Sequence, residues 1–473
     1  MAFYSSSTSL SRRFRLVLTS FLQHDGLAFA NVLPEEDIQR AFDEENKDFA
    51  QEEDAVYTPA LTLWAFLSQV LFKEEQRSCL AAVSRVIVLL IALNRPSCSD
   101  NTGAYCRARG KLPEVVLRRL VYEVADGCEG QLPRRWLWHG RHVHLVDGTT
   151  VSMPDTDANQ EAYPQQKGQK EGIGFPIART VVLLSLATAM VGGMALGPYA
   201  GKETGEPALF RQLLDRLGEG DILLADRYFC SYFMICLLQE SGVDFVVRLH
   251  QRRRADFRRG ERLGKGDHLV QWIRPVKPDW MDQETYDRMP GSICVREVEV
   301  HVNQPGFRTE SLVVVSTLTD ASKYTKEDLA ELYHKRWLAE LDIRAVKISL
   351  GMDVLRCKTP QMVRREIWTG LLAYNLIRKT ILEAAKQSRC SPRQLSFTAA
   401  LQKTAAAWGT LLLLDDATAV LLVGVHLKDA ATHEVGHRPD RVEPRAVKRR
   451  PKQQALLMVP RQEAQAQLLA GNA

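Results

Sequence analysis

A short segment near residue 340 combines residue types that could hold a phosphate group next to a metal-binding carboxylate. The segment reads YHKRWLAELDIRAVK and contains Tyr333, Arg336, Glu340 and Lys347. On an ideal helix with about 100° per residue, these four side chains fall within an arc of roughly 60°. Charged residues on a surface helix usually scatter or pair four positions apart. This narrow stripe of one acid between bases therefore indicates a functional site, and a salt-bridged surface face is the alternative.

Two aspartates interrupt apolar runs elsewhere in the chain. Asp147 lies within HVHLVDGTTVSM, and Asp226 ends the apolar part of DILLADRYF. A carboxylate in such surroundings is costly unless something pairs with it. Mg²⁺ prefers oxygen ligands, and two ions about 3.5–4 Å apart can activate an attacking hydroxyl and stabilise a leaving oxygen. Asp147, Asp226 and Glu340 are thus candidate ligands for two metal ions, whereas turn capping is the structural alternative for each aspartate alone.

The elements that must position these residues follow from the hydrophobic pattern. Residues 1–138 are predicted to be mostly helical, and short β-type runs begin at Arg141 with a hairpin, then alternate with helices. This order indicates a mixed sheet covered by helices. Residues from about 250 to 320 are rich in β-formers and break the alternation. One long helix, capped by Thr325, is then predicted to carry the stripe. The stretch beyond Thr432 is predicted to be extended or arm-like, so that a helical N-terminal domain and a C-terminal helical and basic arm region flank the α/β part of the chain.

Composition excludes several classes of protein. The chain has 473 residues, of which 45% are hydrophobic and 25% charged, which is typical of a globular protein of two or three domains. Its nine cysteines include no C-x-x-C pair, which favours a reducing cytosol over a zinc ribbon or a disulfide framework. The N-terminus lacks the pattern of a signal peptide. Residues 181–199 are apolar and long enough to span a membrane, but Gly192 and Gly193 divide them, which favours a buried hairpin.

Charge is distributed unevenly along the chain, although the net charge is only +5. Residues 248–277 and residues 433–461 are both strongly basic, whereas residues 35–54 are strongly acidic. Basic patches of this kind suit a polyanion such as DNA, and a solvated face is the alternative for either patch alone. Arg107 and Arg109 lie close together in a polar connector, which is compatible with a DNA-binding head or with any helical domain.

Three motifs resemble the DDE transposases of bacterial insertion sequences. They are LVDGT, LLADRYF, and the spacing Y-x-x-R-x-x-x-E followed by Lys347, which is the Tyr-Arg-Glu-Lys signature of the insertion-sequence-four family. The resemblance implies an α/β fold: a ribonuclease-H-like mixed β-sheet flanked by helices and interrupted by a β-rich insertion. It places Asp147 on the first strand, Asp226 after the fourth and Glu340 on the closing helix. It also implies that these three residues are catalytic and hold two Mg²⁺ ions, for which Mn²⁺ can substitute.

The same resemblance implies a set of DNA contacts. Arg336, Lys347 and the Tyr333 hydroxyl would hold phosphates beside the cleaved bond, because arginine suits bidentate phosphate contact and lysine acts as a point charge. Relatives stack a flipped base on a tryptophan of the insertion. Trp272 and Trp280 are the candidates here, and a role in the core of the insertion is the alternative for each. The other expected DNA contacts are Arg107, Arg109 and, in the basic tail RVEPRAVKRRPK, Arg445, Lys448, Arg449 and Arg450.

These observations predict a cut-and-paste DNA transposase. It would bind double-stranded DNA as a homodimer, both at its transposon ends and at the target. It would act in the cytoplasm at the nucleoid, with no membrane partner. The predicted domains are a helical DNA-binding domain (1–138), a catalytic domain (139–385) with the insertion at about 250–320, and a C-terminal region (386–473) with possible dimer and DNA contacts. The alternatives are a nuclease of the same fold that cuts without joining and an inactive DNA-binding regulator. A glycosidase with two carboxylates is disfavoured by the basic patches.

Overall fold

The computed structural model describes residue 42 and residues 55–92, 94–301, 311–410, 414, 416–436 and 456–470. The described residues fall into two compact units. Unit 1 takes its residues from Met1–Gly140, Leu184–Gly193 and Leu341–Val435, and unit 2 from Arg141–Leu183, Met194–Glu340 and Gly436–Ala473. The first boundary lies close to the predicted one at residue 138. The later boundaries differ from those of the predicted domains, which stay predictions.

Helices account for most of unit 1 and alternate along the chain with the strands of unit 2. In chain order they are α1 (Pro59–Leu71), α2 (Cys79–Ala92), α3 (Thr102–Lys111), α4 (Glu114–Glu129), α5 (Asp157–Ala162), α6 (Glu206–Arg211), α7 (Tyr232–Glu240), α8 (Gln283–Arg288), α9 (Lys326–His334), α10 (Leu338–Arg344), α11 (Pro360–Lys386), α12 (Phe397–Ala407), α13 (Asp416–Thr432) and α14 (Arg461–Leu469).

The strands form one nine-stranded sheet with the order β3-β2-β1-β4-β5-β9-β8-β7-β6. Strand β1 runs parallel to β4 and β4 parallel to β5, whereas β9 pairs antiparallel with β5. The β-rich segment therefore extends the sheet through β9 and β8, and the predicted mixed α/β architecture is confirmed. The strands are β1 (Val143–Ser152), β2 (Ile177–Ser185), β3 (Val191–Pro198), β4 (Ile222–Ala225), β5 (Asp244–Arg248), β6 (Glu261–Gly264), β7 (Asp267–Ile273), β8 (Ser292–His301) and β9 (Ser311–Ser316).

The apolar segment at residues 181–199 forms the predicted hairpin, in which β2 and β3 are neighbours in the sheet. Its turn lies at residues 186–190, where Ala189 adopts a positive φ of 63°, and Gly192 and Gly193 lie inside β3. No helix in the described part of the chain is long and apolar enough to cross a membrane.

Strand β4 shows why the edge of the sheet that carries Asp226 has a fixed position. Its four residues are all buried, which is typical of a parallel strand with both faces covered. The main core cluster of unit 2 includes Leu223 and Ala225 from β4, with Phe245 and Val247 from β5. Asp226, the first residue after β4, therefore follows a strand that is held on both sides.

The predicted long helix at residues 325–349 is wrong as one continuous helix. Thr325 does cap its start, in a capping box with Asp328. The chain then passes through α9, a 3₁₀ turn (Lys335–Trp337), α10 and a π-helical turn (Ala345–Ser349). An ideal 100° spacing therefore does not hold along the stripe. Gly351, with a φ of +63°, takes up a left-handed conformation just after the π turn, as a residue ending a helix often does.

Within the predicted C-terminal helical and basic arm region, residues 461–469 form α14, so this part of the stretch beyond Thr432 is helical and not extended. Pro460 stands at its N-cap, and the segment RQEAQAQLL consists of residues with high helix propensity, so local preference explains the helix. The basic residues Arg445, Lys448, Arg449 and Arg450 lie outside the described residues.

Candidate active site

Asp147 lies in the middle of strand β1, directly after its buried part. Leu145 and Val146 are fully buried, and the Asp147 side chain keeps about 19% exposure. Its Oδ1 accepts a hydrogen bond from the backbone N–H of Gly148 at 2.8 Å. The pKa of Asp147 is raised to about 6, mainly by burial; the charges of Asp226 and Glu340 also raise it, whereas the Gly148 N–H and Arg336 lower it. The three predicted acids therefore lie close enough to affect one another.

Sheet register explains how the two aspartates meet. Leu145 of β1 pairs with Leu224 of β4 in parallel, so Asp147 and Asp226 both lie two positions beyond a paired residue. Neighbouring parallel strands are about 4.8 Å apart, and their carboxyl ends share one edge of the sheet. Asp226 caps a 3₁₀ turn, with its Oδ1 accepting from the backbone N–H of Tyr228 at 2.7 Å. Asp226 thus caps a turn and also lies near Asp147.

Arg336 links the third acid to the first. Its Nη2 donates to Oε1 of Glu340 at 2.6 Å, and its Nη1 lies 3.8 Å from Oδ2 of Asp147. Burial lowers the pKa of Arg336, but the hydrogen bond to Glu340 and the charges of Tyr333, Glu340 and Asp147 raise it, so that the pKa is raised overall. A single permanent cation therefore lies between two of the three carboxylates.

Tyr333 lies at the same site with its ring buried. Its pKa is raised to about 12, mainly by burial; the charge of Asp226 also raises it, whereas Arg336 and Arg248 lower it. The hydroxyl is therefore neutral at physiological pH and able to donate a hydrogen bond. Lys347, the last residue of the stripe, lies on the π-helical turn of unit 1.

Glu206 is a site residue that the sequence analysis missed. A Cβ built on Gly148 would lie 2.3 Å from Cδ of Glu206, so the residue after Asp147 must be glycine for this carboxylate to fit. Burial raises the pKa of Glu206, the charge of Asp226 raises it further, and Arg179 opposes both. The sequence offers no signal for this contact, because an acid in the first turn of a helix is ordinary.

The acids at this site suit hard cations by their chemistry. They offer only carboxylate oxygens, which are the ligands that Mg²⁺ and Mn²⁺ favour. Within the described residues, no group of three or more acidic, histidine or cysteine side chains is arranged to hold a metal ion as it stands. Arg336 explains this arrangement, since its guanidinium already neutralises Glu340 and faces Asp147. The residues therefore fit divalent ions provided that Arg336 leaves Glu340.

Both candidate tryptophans already contact arginine side chains. Trp272 is 4% exposed and donates its indole N–H to Glu297 at 3.0 Å, and the guanidinium carbon of Arg253 lies 3.9 Å from its ring centroid. Trp280 is half-buried, with the guanidinium carbon of Arg211 also 3.9 Å from its ring centroid. A base could stack on Trp272 only after its neighbours moved, whereas Trp280 is the more accessible ring. Base stacking on either stays a prediction.

The two predicted DNA contacts on α3 differ in exposure. Arg107 is exposed, while Arg109 is half-buried and donates from Nη1 to Oε1 of Gln69 at 3.0 Å. Arg107 is therefore available to a phosphate at the surface, and Arg109 only to a group that enters the protein.

Comparison with known proteins agrees with the carboxylate site. Residues 138–376, slightly more than half of the chain, match the model of the transposase DDE domain. The chain belongs to this family: it is a DDE transposase of insertion sequences and, as such, a metal-dependent polynucleotidyl transferase and endonuclease. Enzymes of the family use divalent metal ions and act on DNA.

Particular relatives can be named. The chain is 25% identical over 341 residues to the transposase InsG for insertion sequence element IS4 of Escherichia coli (strain K12), covering 72% of this chain and 73% of that protein. It is 23% identical over 296 residues to a probable transposase for element IS5377 of Geobacillus stearothermophilus, covering 61% and 69%. A solved piggyBac transposase synaptic complex with hairpin DNA aligns with a TM-score of 0.42 at 10% identity, over 90% of this chain and 87% of that one.

Proposed function

We propose that this transposase moves its own element by a cut-and-paste route. It binds the terminal inverted repeats, pairs them as a homodimer in the cytoplasm at the nucleoid, hydrolyses the phosphodiester at each end and joins the freed ends to target DNA. The observation that carries the proposal is the meeting of Asp147, Asp226 and Glu340 around Arg336 in a chain with a transposase DDE domain.

The catalytic core is proposed to be ribonuclease-H-like. The sheet order β3-β2-β1-β4-β5, with β1, β4 and β5 parallel, supports this reading. Asp147 then lies on the first strand, Asp226 directly after the fourth and Glu340 on a helix of the closing segment. The positions agree with those that the family signature implies.

Asp147, Asp226 and Glu340 are the residues that would hold two Mg²⁺ ions, or Mn²⁺ in their place. Such ions, when bound, activate the attacking oxygen and stabilise charge on the leaving oxygen. In the first step water attacks phosphorus, the bond to the flanking strand breaks, and the element keeps a 3′-hydroxyl. In the second step this hydroxyl attacks a target phosphodiester, and the displaced target strand leaves with its own 3′-hydroxyl.

The stripe residues position the reacting phosphate in both steps. Arg336 exchanges its hydrogen bond to Glu340 for a bidentate contact with a phosphate oxygen pair, which also frees Glu340 as a ligand. The neutral Tyr333 hydroxyl donates a hydrogen bond to a neighbouring phosphate oxygen. Lys347 supplies a point charge to the same strand.

A strand-transfer assay tests the proposal. Purified protein is incubated with duplexes carrying the element's own ends, a supercoiled target plasmid and Mg²⁺, and cut and joined products are separated on a gel. We expect both products, their loss in EDTA, and their recovery with Mn²⁺. Mn²⁺ binding followed by electron paramagnetic resonance should weaken in Asp226→Asn, independently of activity.

Each alternative has its own signature in this assay. Cut ends that never join would favour the nuclease. Specific binding of the ends without cutting, in the presence of bound Mn²⁺, would favour the regulator.

A further inference from the structure

Unit 1 contains a cavity lined by several arginines, none of which belongs to the carboxylate site described above. The cavity has a volume of about 150 Å³, and Phe66 and Val70 form an apolar part of its wall. Its charged lining consists of Arg77, Arg109, Arg356 and Glu366. Because one water needs roughly 10–15 Å³ of such space, the cavity has room for a phosphate group together with water. We call it the arginine cavity.

Arg109 lies in the last turn of α3 and is under-used as a donor. Its guanidinium carbon lies 4.9 Å from the Phe66 ring centroid and 5.6 Å from that of Tyr105, so the aromatic faces hold it flat. Arginine has five N–H groups. In the described part of the chain Nη1 donates to Gln69, and the buried Nε has no acceptor. Arg109 is therefore a positioned cation without a carboxylate partner.

Arg77 and Glu366, by contrast, satisfy each other and the backbone. Arg77 donates to the carbonyl oxygens of Leu350 and Gly351, and its Nη2 lies 3.6 Å from Glu366 Oε1. Glu366 also accepts from the backbone N–H groups of Arg356 and Cys357. The single carboxylate of the cavity is thus already saturated with donors.

Arg356 adds a third guanidinium at the exposed rim. Among the described residues, no acceptor receives a hydrogen bond from its side chain. Burial lowers the pKa of Arg77, Glu366 raises it, and the charge of Arg356 lowers it again, so the two guanidiniums lie close enough to repel. Three cations therefore face one acid, and an anion entering the cavity would relieve the imbalance.

We propose that the arginine cavity binds a backbone phosphodiester of the DNA that this transposase holds. Guanidinium groups fixed against aromatic rings suit bidentate phosphate contact. The exposed Arg356 at the rim favours a phosphate that belongs to a longer polyanion over a free ion, because a polyanion can extend from the cavity into solvent. This inference rests on the proposed function, because it needs bound DNA.

Salt dependence of binding is the first test. Affinity of the full-length protein for a fluorescent end duplex is measured by anisotropy between 50 and 200 mM salt. Losing one phosphate contact lowers the slope of log K against log salt by about 0.9. We expect Arg109→Gln and Arg356→Gln each to lower the slope by about this amount. Arg119→Gln is the matched control, since Arg119 is paired with Glu123 at 2.6 Å on the surface of α4.

A phosphate scan identifies the partner. Single phosphates of the duplex are replaced by neutral methylphosphonates, one position at a time. We expect one position at which the replacement weakens binding of the wild-type protein several-fold, but has no further effect on Arg356→Gln. If the methylphosphonate and Arg356→Gln lowered the affinity in a fully additive way at every position, the proposal would be overturned.

A separate arm distinguishes DNA from a free anion. The melting temperature is measured in inorganic phosphate and in chloride at equal ionic strength. Suppose that phosphate raises the melting temperature of the wild type but not of Arg109→Gln, while the salt slopes for DNA binding are unchanged. The cavity would then bind a free anion, and the proposal would be overturned. If the variants leave the salt slopes unchanged and phosphate does not raise the melting temperature either, the cavity holds only water, and the proposal is overturned as well.

The proposal can still be tested if Arg109→Gln does not fold. Arg356 is exposed, so Arg356→Gln can be used in each of the three experiments. Failure of the proposed function is also separable. If the wild-type protein neither binds nor cuts end DNA, the proposed function fails. If the wild type binds and cuts, and Arg356→Gln keeps the full slope, only the arginine cavity inference fails.

Discussion

Two groups of charged residues in unit 2, one buried and one half-buried, differ in how completely they are paired. Within the β-rich segment, Arg296 donates to both oxygens of Asp267 at 2.8 and 2.6 Å. Glu297 accepts from His268 and Trp272 on its two oxygens. At the carboxylate site, the guanidinium of Arg336 pairs with Glu340 and lies 3.8 Å from Asp147, while the charge of Asp226 adds to the negative charge near Asp147. Complete pairing stabilises the β-rich segment, whereas the excess of negative charge at the other group leaves capacity for cations.

The largest expected effect comes from removing a carboxylate of the under-paired group. Asp147→Ala, Asp226→Ala and Glu340→Ala should each abolish cleavage while leaving DNA binding largely intact, because each acid is proposed to be a metal ligand. Substitution of a residue that merely orients a metal ligand typically costs ten- to a hundredfold, so loss of a ligand should exceed about a hundredfold. Cleavage of an end duplex and anisotropy measure the two properties. Near wild-type cleavage by one variant would remove that residue from the site.

Breaking the fully paired group should affect stability instead. Arg296→Met leaves Asp267 buried without its partner, and breaking a buried pair in this way costs about 3–5 kcal/mol in the free energy of unfolding. Chemical denaturation measures the loss. Arg288→Met is the control, because its pair with Glu240 is exposed and such pairs contribute about 0–1 kcal/mol.

The double variant sharpens this result. Asp267→Leu combined with Arg296→Met removes both charges, so most of the lost stability should return. If the double variant were as unstable as Arg296→Met alone, the cost would arise from lost packing and not from an unpaired charge.

Removing a charge at the carboxylate site should increase the free energy of unfolding, in contrast to the β-rich segment. Because the pKa of Asp147 rises from an ordinary 3.8 to about 6 in the folded protein, ionisation opposes folding. The free energy of unfolding should therefore fall as pH rises from 4 through 6, by about 3 kcal/mol for this shift of about two pKa units. Asp147→Asn should be more stable than wild type by about that amount at pH 8 and equally stable at pH 4. Denaturation without divalent ions at both pH values is the measurement, and equal stabilities at pH 8 would contradict it.

Much of the sheet could be predicted from sequence because its signals are local. The apolar run before Asp226, the hairpin at residues 181–199 and the Thr325 cap depend on neighbouring residues and appear in the structure. Contacts between distant segments left no local trace. Glu206 against Gly148 and Arg336 facing Asp147 depend on how the strands and helices pack.

The broken helix illustrates the same limit more sharply. Residue spacing alone placed Arg336 and Glu340 on one face, and the two do form an ion pair. The 3₁₀ turn at Lys335–Trp337 and the π turn at Ala345–Ser349 were not foreseen, since propensity in this segment favours a regular helix. Such turns inside a helix often mark functional sites. Substitution of Arg336 therefore tests both the role inferred from the residue spacing and the ion pair seen in the structure.

The smallest expected effect concerns Arg336 itself. If it positions the reacting phosphate, Arg336→Ala should slow single-turnover cleavage of pre-bound end DNA by about a hundredfold, because misplacement by about 1 Å has that consequence. Affinity for long end DNA should change little, since many distant contacts determine it. Arg336→Lys should recover only part of the rate, because lysine keeps the charge but loses the two-pronged geometry.

A neighbouring residue provides the matched control for Arg336. Lys335 forms an exposed i,i+4 pair with Glu331 at 2.8 Å, so Lys335→Ala removes a charge from the same turn without touching the carboxylate site. It should lose roughly 0.3–0.5 kcal/mol of stability and cleave at the wild-type rate. If folded Arg336→Ala behaved in the same way, the Arg336–Glu340 pair would be an ordinary surface salt bridge. The excess of negative charge at the site would then have no role in placing the phosphate, and Glu340 would be the only catalytic member of the stripe.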